Sequence, residues 1–138
     1  MEDSLSSAVR HHLQDLCDVR AKLREAGPHF MGGAFTIIDV EVGHLLEHYC
    51  IEHGLAHTDK HGKTLPLPQL LDRVAEDAKL PPDLVRALKD RHATRSSYVH
   101  QRSKTPRPDA EDAGGYLDAV TKMVACLYGE RASRYIDG

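Results

Sequence analysis

Arg95 and His100 are the residues of this chain best suited to chemistry on a phosphodiester. An imidazole exchanges a proton near neutral pH and serves as general base or general acid. A guanidinium stays charged and holds two phosphate oxygens, or the extra charge of a five-coordinate phosphorus transition state. Together they suffice to cleave RNA without a metal. The 2′-hydroxyl is deprotonated and attacks the adjacent phosphate, and the cation neutralises the charge that develops. In Arg95-Ser96-Ser97-Tyr98-Val99-His100 the two stand five positions apart, and Ser97 and Tyr98 add hydroxyl donors. On a continuous helix, residues five apart are splayed by about 140°. Either the helix ends between them, or the site is completed from elsewhere.

The same stretch opens the most basic segment of the protein. Residues 86–107 carry seven Lys or Arg, among them Arg91, Arg95, Arg102 and Lys104, against one acid, Asp90. That is +6 within a chain of net −3, which leaves −9 on the remainder. A concentrated positive island on an acidic body points to an anionic ligand, most simply a phosphate backbone. A solvated loop carries such charges too, so the charge supports the motif and does not stand alone.

A second pattern competes with it. His44-Leu45-Leu46-Glu47-His48 matches the H-x-x-E-H spacing in which two histidines one helical turn apart bind zinc and a glutamate activates water. Enzymes built this way are much larger and take a third ligand from another helix. Here only Glu111 and Glu130 follow Glu76. His44 and His48 also share a helical face with Glu41 and Glu52, the pattern of a solvated side, so a chance match is the expectation. His48, His53, His57 and His61 form a wider series, read as adventitious in a chain with ten histidines. Gly32-Gly33 and Gly114-Gly115 are too short for a phosphate loop of Walker or Rossmann type and read as turn and packing glycines.

The elements that must position these residues are helical. Leu5, Val9, Leu13, Leu16, Val19 and Leu23 trace one face over 5–26, with Ser4 or Asp3 as cap and Gly27-Pro28 as stop; His11 and His12 read as surface or boundary residues. Residues 34–54 read as a second helix with Ile38, Val42, Leu45, Leu46 and Tyr49 inward, despite the β-branched Thr36-Ile37-Ile38. Gly43 within it is tolerable if another helix packs closely there. After a polar connection, Pro68 sits in the first turn of a third helix, to about residue 79, with Leu70, Leu71, Val74 and Ala78 as its apolar side. Pro81-Pro82 breaks the chain, and a fourth helix with Leu84, Val85 and Leu88 inward leads into the arginine–histidine stretch. A basic, proline-bearing loop follows. Asp109 then caps a last helix with Ala113, Leu117, Val120, Val124 and Leu127 in its stripe and Arg131 and Arg134 near its end. There are no strand pairs, hairpin signals or repeats. The fold class is all-α, an antiparallel bundle of four to five helices in one domain over 1–138.

Composition agrees. At 138 residues, with 41% hydrophobic and 28% charged residues, the chain is neither disordered nor fibrous. No apolar run approaches the roughly 20 residues of a membrane span, and the acidic N-terminus lacks the features of a signal peptide. Cys17, Cys50 and Cys126 are odd in number and far apart, with no metal knuckle. A reduced, cytoplasmic setting is expected, with no membrane partner.

An Arg and a His separated by four residues near the end of a helix, followed by a final long helix from about residue 110, resemble the hallmark of the HEPN superfamily. These are small helical nucleases and nucleotide-binding domains of prokaryotic toxin and defence systems. The order and length match over essentially the whole chain, while Arg95 and His100 carry the diagnostic content. The resemblance implies a metal-independent endoribonuclease, without cofactor, working as a homodimer whose two motifs meet in one cleft, with an antitoxin or other regulatory protein as further partner. It makes His100 the acid/base and Arg95 the phosphate contact. Arg91, one turn before Arg95, becomes an accessory cation, and Glu47 an acidic partner for Arg95 or His100. Ser96 stands where active members often have Asn, Asp or His. That departure favours the alternative, a catalytically silent module that binds a nucleotide, an RNA or a protein.

Overall fold

The computed structural model describes residues 5–25, 31–100 and 110–137; the side chains of 31–32, 95–100 and 110 lie outside that description. Among the described residues the regular structure is helical: α1 (Ser7–Glu25), α2 (Met31–Glu52), α3 (Leu67–Ala78), α4 (Pro82–His100), α5 (Ala110–Tyr128) and α6 (Glu130–Asp137). An isolated antiparallel bridge, Thr58 to Thr64, closes the connection between α2 and α3. No helix among the described residues is long and apolar enough to cross a membrane.

The all-α expectation holds, with six described helices in place of four or five. The added element is α6. Gly129 takes φ +98°, a conformation open chiefly to glycine, and turns the chain out of α5. Arg131 and Arg134 therefore belong to a separate short helix, which lays Ala132 and Ile136 into the core. A chain read for apolar spacing alone runs straight through this point.

The apolar stripes fold as their spacing dictates. Val9, Leu13, Leu16 and Val19 of α1 meet Phe35, Ile38, Val42, Leu45, Leu46 and Tyr49 of α2 in one core. Leu70, Leu71 and Val74 of α3, Leu84 and Leu88 of α4, and Ala113, Leu117, Val120 and Val124 of α5 complete it. Central to this arrangement is α2, which packs against α1, α3, α4 and α5. The packing of α2 on several sides, with Ile38 fully buried while Ile37 stays exposed, is what lets Thr36-Ile37-Ile38 stay helical against their strand preference. Arg20 of α1 reaches Asp118 of α5 at 3.2 Å and Asp137 of α6 at 3.4 Å, tying the two ends of the chain together.

Local signals fare unevenly. Pro68 lies in the first turn of α3, and Pro82 begins α4, where a missing N–H costs nothing. The cap of α1 is Ser6, whose Oγ accepts from the Val9 amide at 3.2 Å; Asp3, Ser4 and the Gly27-Pro28 stop lie outside the described residues, as does Asp109. Gly32 and Gly33 form the first turn of α2 instead of a turn before it, and Gly114-Gly115 lies within α5. Gly43 shows no close helix packing, since a Cβ built there meets nothing within 4 Å. Gly43→Ala is therefore expected to stabilise the protein by about 0.5–1 kcal/mol, the usual gain for a helix interior. Urea denaturation checks this: an unchanged or lower midpoint contradicts it.

Candidate functional site

Helix α4 carries the arginine–histidine motif. Leu84 and Leu88 anchor its first half in the core, and the helix continues unbroken to His100. Arg95, Ser96, Ser97, Tyr98 and His100 therefore all occupy the last turns of one helix. Their side chains lie outside the described residues, as do Arg102 and Lys104 altogether. Of the two ways out of the angular splay, a helix end between Arg95 and His100 is removed. A site using both must draw on a second element or a second copy.

One turn earlier the side chains are described, and they form a network. His92 gives its Nδ1 to Asp39 of α2, at 2.9 Å from Oδ1 and 3.1 Å from Oδ2. Tyr116 of α5 donates its hydroxyl to the same Oδ1 at 2.6 Å. Asp39 is only 5% exposed, and the Tyr116 ring packs against Phe35 with centroids 5.0 Å apart. Removing a carboxylate from water costs several kcal/mol unless hydrogen bonds replace the hydration. Donors from two other helices do so here, locking α2, α4 and α5 together beneath the motif. An ionised carboxylate only accepts, so His92 Nδ1 is the donor in both contacts.

Arg91, beside His92, turns to α5 and meets Asp112 in its first turn at 3.3 Å, with about a third of its side chain exposed. Its guanidinium packs over Gly115, where a Cβ would stand 2.4 Å from Nη2. Gly115 is thus a packing glycine whose partner is the Arg91 side chain of α4.

Asp39, His92 and Tyr116 drew no role from the sequence. A signal existed for Asp39: it falls four residues after Phe35 and three before Val42, on the buried face, where a lone carboxylate demands partners. Nothing in the sequence named His92 or Tyr116 as those partners.

A second polar cluster lies on the other side of α2, against α1. His12 Nδ1 is 2.6 Å from Glu41 Oε1, and His44 Nδ1 is 3.5 Å from the same oxygen. The His12 ring lies 4.7 Å from that of His44 and 5.4 Å from that of His48, centroid to centroid. His11 and Asp15 adjoin it, 3.6 Å from each other. The face of Glu41, His44 and His48 is thus only partly the solvated side its composition suggests, with the His44 side chain 48% exposed. Glu41 is 7% exposed, covered by His12 from α1. His12 is correspondingly a boundary residue with a long-range partner.

Burial, together with a hydrogen bond to Asp15 and its charge, raises the Glu41 carboxyl to about 8. Burial, then His44, His48 and His11, lowers the His12 imidazole, which Asp15 partly offsets. Both partners are pushed toward their neutral forms. A carboxyl whose pKa is raised on folding stabilises below its unfolded value and loses that contribution as pH climbs through the folded one. His12 works oppositely, but only below about pH 6.5. Stability of chelator-treated protein is thus expected to fall between about pH 6.5 and pH 8, and Glu41→Gln to flatten the fall. Urea titrations across that range test it, and an equal slope in both proteins is the contrary result.

Glu47 lies elsewhere: its Oε2 accepts from Thr64 Oγ1 at 2.8 Å in the connection after α2. That is eight residues, or about 12 Å of helix, beyond Asp39. The glutamate beside the histidines is Glu41 and not the Glu47 of the H-x-x-E-H pattern. The loop histidines do not converge: His53 stacks on Tyr49 and bonds its carbonyl, and His57 bonds the Leu55 carbonyl.

Comparison of the chain with protein-family models, with curated proteins and with solved structures finds no match.

Proposed function

We propose that this protein is a metal-independent endoribonuclease of the HEPN type, acting as a homodimer with Arg95 and His100 at a composite site. What carries the reading is the course of α4. The helix runs intact through the motif at the head of a segment of charge +6, and the buried Asp39 network fixes its orientation from below. Arg91, about a third exposed, stands one helical turn before Arg95, where a phosphate backbone would meet a second cation. Because residues five apart on one helix diverge, a second copy supplies the missing half.

In this reading His100 accepts the 2′-hydroxyl proton, and the resulting alkoxide attacks phosphorus. Arg95 neutralises the charge on the non-bridging oxygens, and the 5′-oxygen leaves with a proton returned by an imidazole. The products are a 2′,3′-cyclic phosphate and a 5′-hydroxyl. Single-stranded RNA or an exposed tRNA loop is the substrate class, since the 2′-hydroxyl must align with the leaving oxygen. A role in toxin–antitoxin or phage-defence biology, and an antitoxin partner, follow from the resemblance alone. Ser96 favours the second reading, a silent module that binds RNA, a nucleotide or a protein.

One experiment separates the two. Purified protein is incubated with RNA in excess EDTA beside Arg95→Ala and His100→Ala, at a temperature where circular dichroism shows each folded. Cleavage that survives EDTA and vanishes in both variants is the expected outcome. Binding without cleavage sustains the silent module, and a strictly monomeric species by light scattering counts against the composite site.

A further inference from the structure

We propose that the seam between α1 and α2 holds a borderline divalent metal ion, Zn2+ or its like, through His12, Glu41 and His44. The ligand atoms of these three side chains all lie within 4.8 Å of one another. Four-coordinate zinc, with bonds of about 2.0–2.2 Å, sets its ligand atoms roughly 3.4 Å apart. Glu41 Oε1 already stands 2.6 Å from His12 Nδ1 and 3.5 Å from His44 Nδ1. Small rotations of the two imidazoles open the space an ion needs.

The ligand chemistry narrows the ion. Two imidazoles and one carboxylate suit zinc, cobalt or nickel, whereas magnesium and calcium ask for oxygen alone. Helical spacing supplies the pre-organisation. Glu41 and His44 are three residues apart on one face of α2, and His48 follows a turn later with its ring 5.4 Å from that of His12. His48 lies outside the set whose ligand atoms converge within 4.8 Å, so the fourth position is left to water. Glu41 is buried while His44 is about half exposed, so the site is closed toward the core and open toward solvent for entry of an ion. The ligands come from two helices adjacent in the bundle, and an ion there clasps α1 to α2. The inference does not depend on the ribonuclease reading: Asp39 and the motif helix lie on the opposite side of α2.

The test uses the full-length protein, stripped with EDTA, dialysed free of chelator and titrated with Zn2+ or Co2+. One equivalent is expected to bind at micromolar affinity or better and to raise Tm by roughly 5 °C or more when in large excess over Kd. Bound Co2+ is expected to show visible ligand-field bands without the near-ultraviolet thiolate charge-transfer that Cys17, Cys50 or Cys126 would give. His44→Gln, at a half-exposed position, should fold normally and weaken binding by about 10–100-fold or more. Glu41→Gln should do the same, whereas His57→Gln and His61→Gln in the loop should not. No stoichiometric binding below about 100 µM metal, thiolate bands, or affinity lost in the loop variants but kept in His44→Gln would each overturn the site.

Discussion

His100→Ala is expected to lower RNA cleavage by roughly 10²–10⁴-fold while leaving RNA affinity within about threefold. In the proposed mechanism an imidazole that moves a proton in the transition state contributes little to ground-state binding, so the loss belongs in kcat and not in KM. Arg95→Ala should match it in size but differ in kind. A guanidinium that grips phosphate oxygens acts in both ground and transition states, so affinity falls together with rate. Arg95→Lys keeps the charge but loses the two-pronged donor, and an intermediate rate is expected. A composite site adds a diagnostic that a site within one chain lacks. Mixing inactive Arg95→Ala and His100→Ala subunits should restore part of the activity if each copy lends a residue to its neighbour. Wild-type rates in His100→Ala, or equal effects on rate and affinity in every variant, would count against the assignment.

Asp39→Ala is expected to cost about 3 kcal/mol of stability and lower Tm by roughly 10 °C. The carboxylate serves donors from two other helices at 2.9 and 2.6 Å while itself only 5% exposed. Its removal leaves the His92 imidazole and the Tyr116 hydroxyl without their acceptor, each a cost of about 1–3 kcal/mol that adds only in part. Tyr116→Phe deletes one donor and keeps the Asp39–His92 bond, so a loss nearer 1 kcal/mol is expected. Because the network orients α4 beneath the motif, Asp39→Asn should impair cleavage beyond its effect on stability when assayed well below Tm. Denaturation midpoints and rates on the same preparations separate these effects. A change under about 0.5 kcal/mol for Asp39→Ala would show the network to be dispensable.

The residues that do the packing were legible from spacing. Leu13, Leu16, Leu45, Leu46, Leu88, Leu117 and Val124 each recur at three or four positions from another apolar residue, and each is fully buried. Hydrophobic periodicity is a local property, so reading it needs no knowledge of neighbours. The boundary at Gly129 was not legible: a glycine in a helical stretch is ambiguous until the backbone shows φ +98°. The Arg95–His100 motif is likewise a sequence feature, and the bundle adds that α4 carries it without a break.

Helix number aside, the chain alone determined an all-helical protein, its core stripes and its cationic segment, because these depend on residue type and interval. Only the tertiary arrangement decided which polar residues become partners. His12 and Glu41 are 29 positions apart, Asp39 and His92 are 53, and Asp39 and Tyr116 are 77. A hydrogen bond across such distances is selected by which helix faces meet, and that follows from packing the whole core at once. Hence Glu47, with the better motif, turns to the loop, while Glu41, on an apparently solvated face, is buried among histidines.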